Sequence, residues 1–372
     1  MHYRTLILLS LFISNCVVAQ PGNVGVRFDD KKTELSGYKD SRGNIMIPAK
    51  FGDFTRADTF HNIIAVQEEA GDKYRSYYLL KDGRTVGKDS VYVFDFTYDC
   101  ENEGKILFKD YKTNRVGFLN KDGQVIIPAM YNDAHSFYNG ISLTIRNAKK
   151  KCWGDGEDTL SCEHWSWSGG EVCSINEKNE VLIKWDDNYG YLNWHSMKVN
   201  DPHADSSLYE MVKGTTGDSY SFLNYEKEFE QWFHTRFLPA ILSKNAERIK
   251  QLCLPEITCW YDKGGWKSKS TSRFLQAYPP SLLYDHFRDI SRRSESVFIT
   301  YGDIGLIKNE HLNARFRNAC GEHFKERYPV FEVVKTFKNS KSAGGEYQEH
   351  LSFVRTDEGY RMFNVSLIKA NK

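Results

Sequence analysis

The sequence is short of the marks that most enzymes and membrane-spanning proteins carry. After the first nineteen residues no apolar run approaches the roughly 20 residues that a helix needs to cross a bilayer. There is no Gly-x-Ser-x-Gly elbow, no phosphate-binding loop, no His-Glu-x-x-His and no Cys-x-x-Cys. The locally encoded forms of serine hydrolysis, nucleotide binding, zinc proteolysis and dithiol chemistry are therefore missing. Asp201-Pro202-His203-Ala204-Asp205 has the look of a metallophosphoesterase opening but lacks its companion blocks. No catalytic residue, metal or cofactor is assigned. A site assembled from distant residues would leave no such motif, so the enzyme question stays open while the balance falls toward binding.

Charge of one sign is lacking too, but only in sum. The net charge of +1 hides an uneven distribution. Residues 20–221 hold 25 Lys+Arg against 31 Asp+Glu, a balance of −6, and residues 222–372 hold 24 against 18, a balance of +6. Two units of opposite sign that dock on one another fit this split. No nucleic-acid motif accompanies the basic part, and nucleic acid is not expected as a partner.

Met1 to Arg4 is short and basic, Leu6 to Ile13 is apolar, and Val17-Val18-Ala19 offers small residues. That is the layout of a secretory signal over residues 1–19, with export to the periplasm or beyond. Lipoprotein processing at Cys16 is the alternative. Seven cysteines remain after Ala19, an odd number that leaves at least one outside an intrachain bridge. Cys152, Cys162 and Cys173 cluster and are the disulfide candidates, with the pairing open. Their spacing with His164 is too loose for a structural zinc site.

What the chain does have is a repeat. Gly37 to Ala49 (GYKDSRGNIMIPA) and Gly117 to Ala129 (GFLNKDGQVIIPA) share both glycines, the proline and the apolar positions. Tyr78 to Gly83 lies midway, so turn glycines Gly43, Gly83 and Gly123 recur at 40-residue intervals. A fourth copy around Ile175 to Ile183 places Asn179 at the glycine position; Asn tolerates positive φ best among non-glycine residues. Lys121-Asp122-Gly123-Gln124 reads as a two-residue hairpin turn with both central residues at positive φ. Pro128 is expected to end pairing. A lone hairpin cannot cover its own apolar face, so the copies must stack.

These residues, with the following aromatic and Phe137-Tyr138-Asn139-Gly140, resemble the WG repeat of bacterial proteins, although Ser36 and Val116 stand where the tryptophan would be. The resemblance implies a surface for interaction and no fixed catalytic constellation. The expected organisation is a linker over 20–36, an all-β hairpin-repeat array over 37–215 interrupted by a Cys/Trp-rich insert at 151–171, and an α+β unit over 222–372. Five of the eight tryptophans lie between Trp153 and Trp194. Trp165 and Trp167, two apart, share one face of an extended segment. They are ligand-binding candidates for an envelope glycan such as peptidoglycan, or cover for the end of the stack.

The last unit begins with a helical stripe, Phe229, Trp232, Phe233, Phe237 and Ile241, bent at Pro239. Short helices are expected at Asn245–Leu252, Ser270–Gln276 and Leu282–Ile290, a turn at Gly264-Gly265, and strands at Val297–Tyr301, Val330–Phe337, Leu351–Val354 and Tyr360–Leu367. Helices packed on a curved antiparallel sheet, with the closing hairpin HLSFVRTDEGYRMFNVSLI, resemble the NTF2-like cone. That resemblance implies a small-molecule or enzymatic pocket, for which Trp232, Trp260, Tyr261 and Trp266 are candidates, although the plainer reading makes them core aromatics. The partner expected for the whole chain is a protein or an envelope glycan.

Overall fold

A computed structural model describes residues 24–153, 162, 164–186, 192–261, 265–287, 297–338 and 346–366. The signal-peptide reading lies outside the described residues. Among those described, no helix is long and apolar enough to cross a membrane.

The first half is an array of antiparallel hairpins. Its turns share one geometry. Gly43, Gly83, Gly123 and Asn179 have φ of 88°, 86°, 77° and 64°. The N–H of each donates to the carbonyl three residues back, at 2.9–3.0 Å. The residue before each is not at positive φ. The turn is thus not the two-residue form expected around Asp122-Gly123. It is a type I turn closed by one left-handed residue, the three-residue hairpin loop. In three of the four copies a side-chain acceptor at the first position holds this turn, while the copy at Gly83 adopts it with Leu80 there. Oδ1 of Asn120 accepts from the N–H of Asp122 and of Gln124, and Asp40 and Asn176 do the same in their copies. Such a carboxyl or amide holds the type I bend in place.

The two closest copies also share a bulge, and it accounts for the glycine and proline of the motif. Ser36 pairs with Phe51 and Tyr38 with Ile47, so Gly37 alone faces Pro48, Ala49 and Lys50. Val116 pairs with Tyr131 and Phe118 with Ile127, so Gly117 faces Pro128, Ala129 and Met130. The proline does not end the strand, as expected from its missing N–H. It sits in the bulge, where no ladder bond is asked of it, and pairing resumes beyond. A Cβ on Gly117 would stand 2.3 Å from the Ile127 carbonyl oxygen, and one on Gly37 2.6 Å from that of Ile47.

Stacking buries what single hairpins cannot. Tyr38, Phe51, Phe60, Ile64 and Val66 form one small core. Ile63, Tyr78, Leu80, Ile106 and Leu119, drawn from successive copies, form the next. Leu107, Phe118, Tyr131, Phe137 and Ile175 form a third, and Ile183, Tyr220 and Phe222 a fourth. Polar contacts repeat with them. Glu101 accepts from the N–H groups of Asn62 and Ile63, and Glu103 from those of Asn139 and Gly140. The expected linker is part of the array: Gly25–Asp29 is a strand between Ser36–Lys39 and Thr59–Phe60.

The C-terminal unit is α+β. Its six-stranded sheet runs Gly265–Ser270, Cys253–Tyr261, Gly359–Ser366, Glu346–Thr356, Val330–Lys338, Val297–Tyr301. The strand Cys253–Tyr261, missed at the sequence level, pairs parallel with Gly359–Ser366. Helices Tyr225–Trp232, Leu238–Leu242, Ala246–Gln251, Thr271–Ala277 and Pro280–Phe287 accompany it. Phe233–Phe237 is a π-helical turn, with the Leu238 N–H reaching the Phe233 carbonyl. This wide turn directly precedes Pro239, whose ring cannot follow an ordinary helical turn. Phe229, Phe233, Phe237, Phe331 and Phe353 fill the core between helices and sheet.

A segment of this unit reaches back to the array. Asn318 to Glu322 forms the same turn as the repeats: Oδ1 of Asn318 accepts from Cys320 and Glu322 N–H, and Gly321 has φ of 78°. The Ala319 carbonyl accepts from the Asp58 and Thr59 N–H groups, Arg56 pairs with Glu322, and Cys320 is bridged to Cys100 across 220 residues of sequence. We call this segment the clasp.

Two outcomes follow. Gly117→Ala should lower unfolding free energy by about 1–3 kcal/mol, because the obstacle is backbone; a loss below about 0.5 kcal/mol in urea titration would contradict the bulge account. The double variant Cys100→Ser, Cys320→Ser should lose on the order of 2–5 kcal/mol, since so long a closed loop carries a large chain-entropy effect; unchanged unfolding of the variant would show that the clasp does not depend on the bridge.

Candidate cleft between the array and the clasp

The clasp does not lie flush on the array. Phe324 packs against Tyr138, with ring centroids 5.5 Å apart, and against His195 at 5.8 Å. Beside these contacts two adjoining cavities of 480 and 640 Å³ share Asp133, His135, Ser136, Tyr138 and Glu326. Trp167 and Trp194 line the first; Tyr92, Phe94 and Asp99 line the second. The strand Asp133–Ala134 supplies one wall, held against Ile141–Arg146 by the pairs Asp133↔Ile145 and Ala134↔Thr144.

The electrostatics are one-sided. Arg56 and Glu322 neutralise one another. Among the described lining residues, that leaves the carboxylates of Asp95, Asp99, Asp133 and Glu326 with one cation, Lys325, while Lys109 acts on Asp133 from outside the lining. Asp133 is held in place, accepting from the Tyr92 hydroxyl at 2.7 Å and from the Trp167 indole N–H at 3.3 Å. Glu326 has no hydrogen bond or ion pair among the described residues. Asp99 lies at the base, accepting from the Leu107 N–H and the Ser136 hydroxyl. It keeps an edge toward solvent, yet burial by the surrounding protein pushes its carboxyl from 3.8 up to about 6. Burial likewise pushes the Tyr92 and Tyr138 phenols well upward, so both remain neutral donors.

Of the residues singled out from sequence, Trp167 reaches this cleft. Trp165 stands beside it, the rings 5.0 Å apart and nearly perpendicular, with the Lys150 ammonium 4.0 Å over the Trp165 ring. Both are half-buried on the strand Trp165–Ser168, which pairs with Lys149–Cys152. Cys152 is bridged to Cys162, which also removes both from any zinc set. Cys173, the third candidate, is a buried free thiol on the strand Glu171–Asn176. Trp232 is far from the cleft in kind: it packs on Phe229, Phe237, Phe353 and Tyr360 in the aromatic core. The backbone of Tyr261 pairs with Gly265 at a strand end, and its side chain lies outside the described residues. Asp99, Asp133, Tyr138, Trp194 and Glu326 were not singled out. Phe137-Tyr138-Asn139-Gly140 was a visible motif that marked the loop but not its direction. Nothing local could have brought Glu326 to Asp133.

With this geometry in hand, comparison places the third copy: residues 117–149 match the family described as the WG containing repeat. One solved structure, described as a calcium/calmodulin dependent protein kinase II association domain from Xanthomonas campestris, is 10% identical and covers 39% of this chain and 86% of its own, with a TM-score of 0.17. A likeness that slight carries no argument. No curated protein matches.

Asp99 gives the cleft a pH signature. Its folded carboxyl holds a proton more tightly than the unfolded one, so the native state loses stability as pH rises from about 4 to about 6 and is level above. Asp99→Asn keeps an acceptor for Leu107 and should gain up to about 3 kcal/mol at pH 7, less where cleft water screens the charge, with the gain gone by about pH 4. Urea unfolding at three pH values checks this; a variant equally destabilised at every pH would contradict it.

Proposed function

We propose that the chain is an exported binding module whose recognition surface is the cleft between array and clasp, and that its partner presents a cationic segment, as a basic peptide or protein loop does. The observation that carries the reading is the convergence of four carboxylates and the rings of Tyr92, Tyr138, Trp167 and Trp194 on one open cleft whose described lining holds one lysine. Carboxylates and ring faces are the two surfaces that attract an ammonium or guanidinium group. Rigid aromatics set among fixed polar groups are also what interface anchors are made of. The WG-repeat match supports a binding or scaffolding reading over catalysis.

In this reading the repeats from 37 to 215 and the unit from 222 to 372 are two domains joined by the clasp, and the second is NTF2-like. The helix-then-sheet order and the closing hairpin support that assignment. Its helix-facing interior is occupied by phenylalanines, which favours a structural role for that side over an enzymatic pocket. Glycan binding through Trp165 is the second reading, favoured by its half-exposed ring, although Lys150 already covers one face.

A fluorescent Arg-Gly repeat peptide of twelve residues tests the proposal by anisotropy. Binding should weaken about tenfold on Glu326→Lys and fall as salt is raised, with a similar loss on Trp167→Ala. A neutral Gln-Gly peptide that binds equally well, or indifference to Glu326→Lys, would sink the proposal.

A further inference from the structure

We propose that the sheet face of the C-terminal unit turned away from its helices carries a separate site for a neutral saccharide, centred on Trp260 and Trp266. These two stand directly opposite on neighbouring strands, with ring centroids 5.3 Å apart. They are 37% and 38% exposed, whereas Phe229, Phe233, Phe237, Phe331 and Phe353 of the helix side are buried. The two tryptophans pack on each other edge to face and stand apart from the main apolar cover of this face. The apolar cover on this face, Ile304, Ile307, Leu312 and Phe316 over Val330, Val354 and Phe363, does not include the two indoles. Beside them lies a depression of 620 Å³, within the range of ligand pockets.

The floor of that depression is polar where a sheet core is ordinarily apolar. Ser352 and Asn364 are fully buried. The Ser352 hydroxyl lies 2.9 Å from Oε1 of Glu332 and 3.2 Å from Oδ1 of Asn364. Nδ2 of Asn364 donates to the Thr258 carbonyl, and the Thr258 and Ser268 hydroxyls meet at 2.9 Å. Nδ1 of His350 is 3.2 Å from Oε2 of Glu332. A row of polar contacts therefore crosses five strands, with the one Ser352 proton shared between the Glu332 and Asn364 oxygens. Burying such groups costs free energy unless each finds a partner. The row supplies those partners and holds the Glu332 carboxylate and His350 imidazole in fixed orientations. Nε2 of His350 and both indole N–H groups have no partner among the described residues.

A sugar ring presents an apolar C–H face and, at its edge, hydroxyls that both donate and accept. Two indole faces next to a fixed carboxylate, imidazole and the Gln348 amide match both surfaces. Among the described residues, Glu332 is the single carboxylate lining the depression, and no Lys or Arg lines it. The Glu332 carboxylate would repel a uronate or phosphate, which favours a neutral saccharide.

The test is titration of the full chain with cellotetraose, maltotetraose and chitotetraose, followed by tryptophan fluorescence and calorimetry. At least one should bind. Trp266→Ala should weaken that binding at least about tenfold, Gln348→Ala should weaken it several-fold, and Trp167→Ala in the array should leave it unchanged. Both C-terminal positions are exposed, so both variants should melt as the parent does, and either suffices if the other misfolds. No binding of any of the three sugars up to about 10 mM would overturn the proposal. So would binding that survives both Trp266→Ala and Gln348→Ala, or binding lost in Trp167→Ala. Loss of Arg-Gly peptide binding by Glu326→Lys is independent of all these outcomes.

Discussion

Each hairpin of the array has one apolar face and too little of anything else to cover it. A pair of strands with a three-residue loop is at best marginal in water, and everything else in the first half answers that limit. The small cores draw on consecutive copies, so no copy owns one. Tyr38 and Phe118 occupy equivalent positions in the first and third, and the bulges opposite Gly37 and Gly117 bend each hairpin by the same device. Stability is then shared between neighbours, as in other repeat architectures.

The same limit explains the clasp. An array has ends, and its copies need something to close on. The Asn318–Glu322 turn repeats the array's own turn geometry and lies against the core of the first copy, where Ala319 and Cys320 pack. A segment from the oppositely charged unit thus takes the place of a neighbouring hairpin. Because the clasp imitates a turn and not a whole copy, it covers the array incompletely. The cleft is what it leaves open. In the proposed reading, the binding surface and the junction of the two units are one feature.

Much of the fold was legible and much of the site was not, for one reason. Local patterns speak for local structure. The spacing of Gly43, Gly83 and Gly123, the asparagine at 179 and the stripe from Phe229 to Ile241 each encode an element through nearest-neighbour sterics or periodicity. The turn type was misread because Asp-Gly suggests the two-residue form, while Asp122 and Asp82 both stay out of the left-handed region and only the glycine enters it. The strand Cys253–Tyr261 was missed because its proline and its charged and polar residues break the alternation; its burial is imposed by Gly359–Ser366, about 100 residues on. Cys100 and Cys320 could not be paired by reading, since cysteine counting fixes parity and not partners. Every residue that makes the cleft distinctive belongs to contacts between segments far apart in the chain.

The clasp is therefore the point on which the account turns, and the direct measurement is peptide mapping of the unreduced protein after alkylation of free thiols. The account predicts one cross-linked peptide pair containing Cys100 and Cys320, a second bridge joining Cys152 to Cys162, and label on Cys173, Cys253 and Cys259 only after denaturation. Recovery of Cys320 as an alkylated free thiol, or joined to any cysteine other than Cys100, would contradict it.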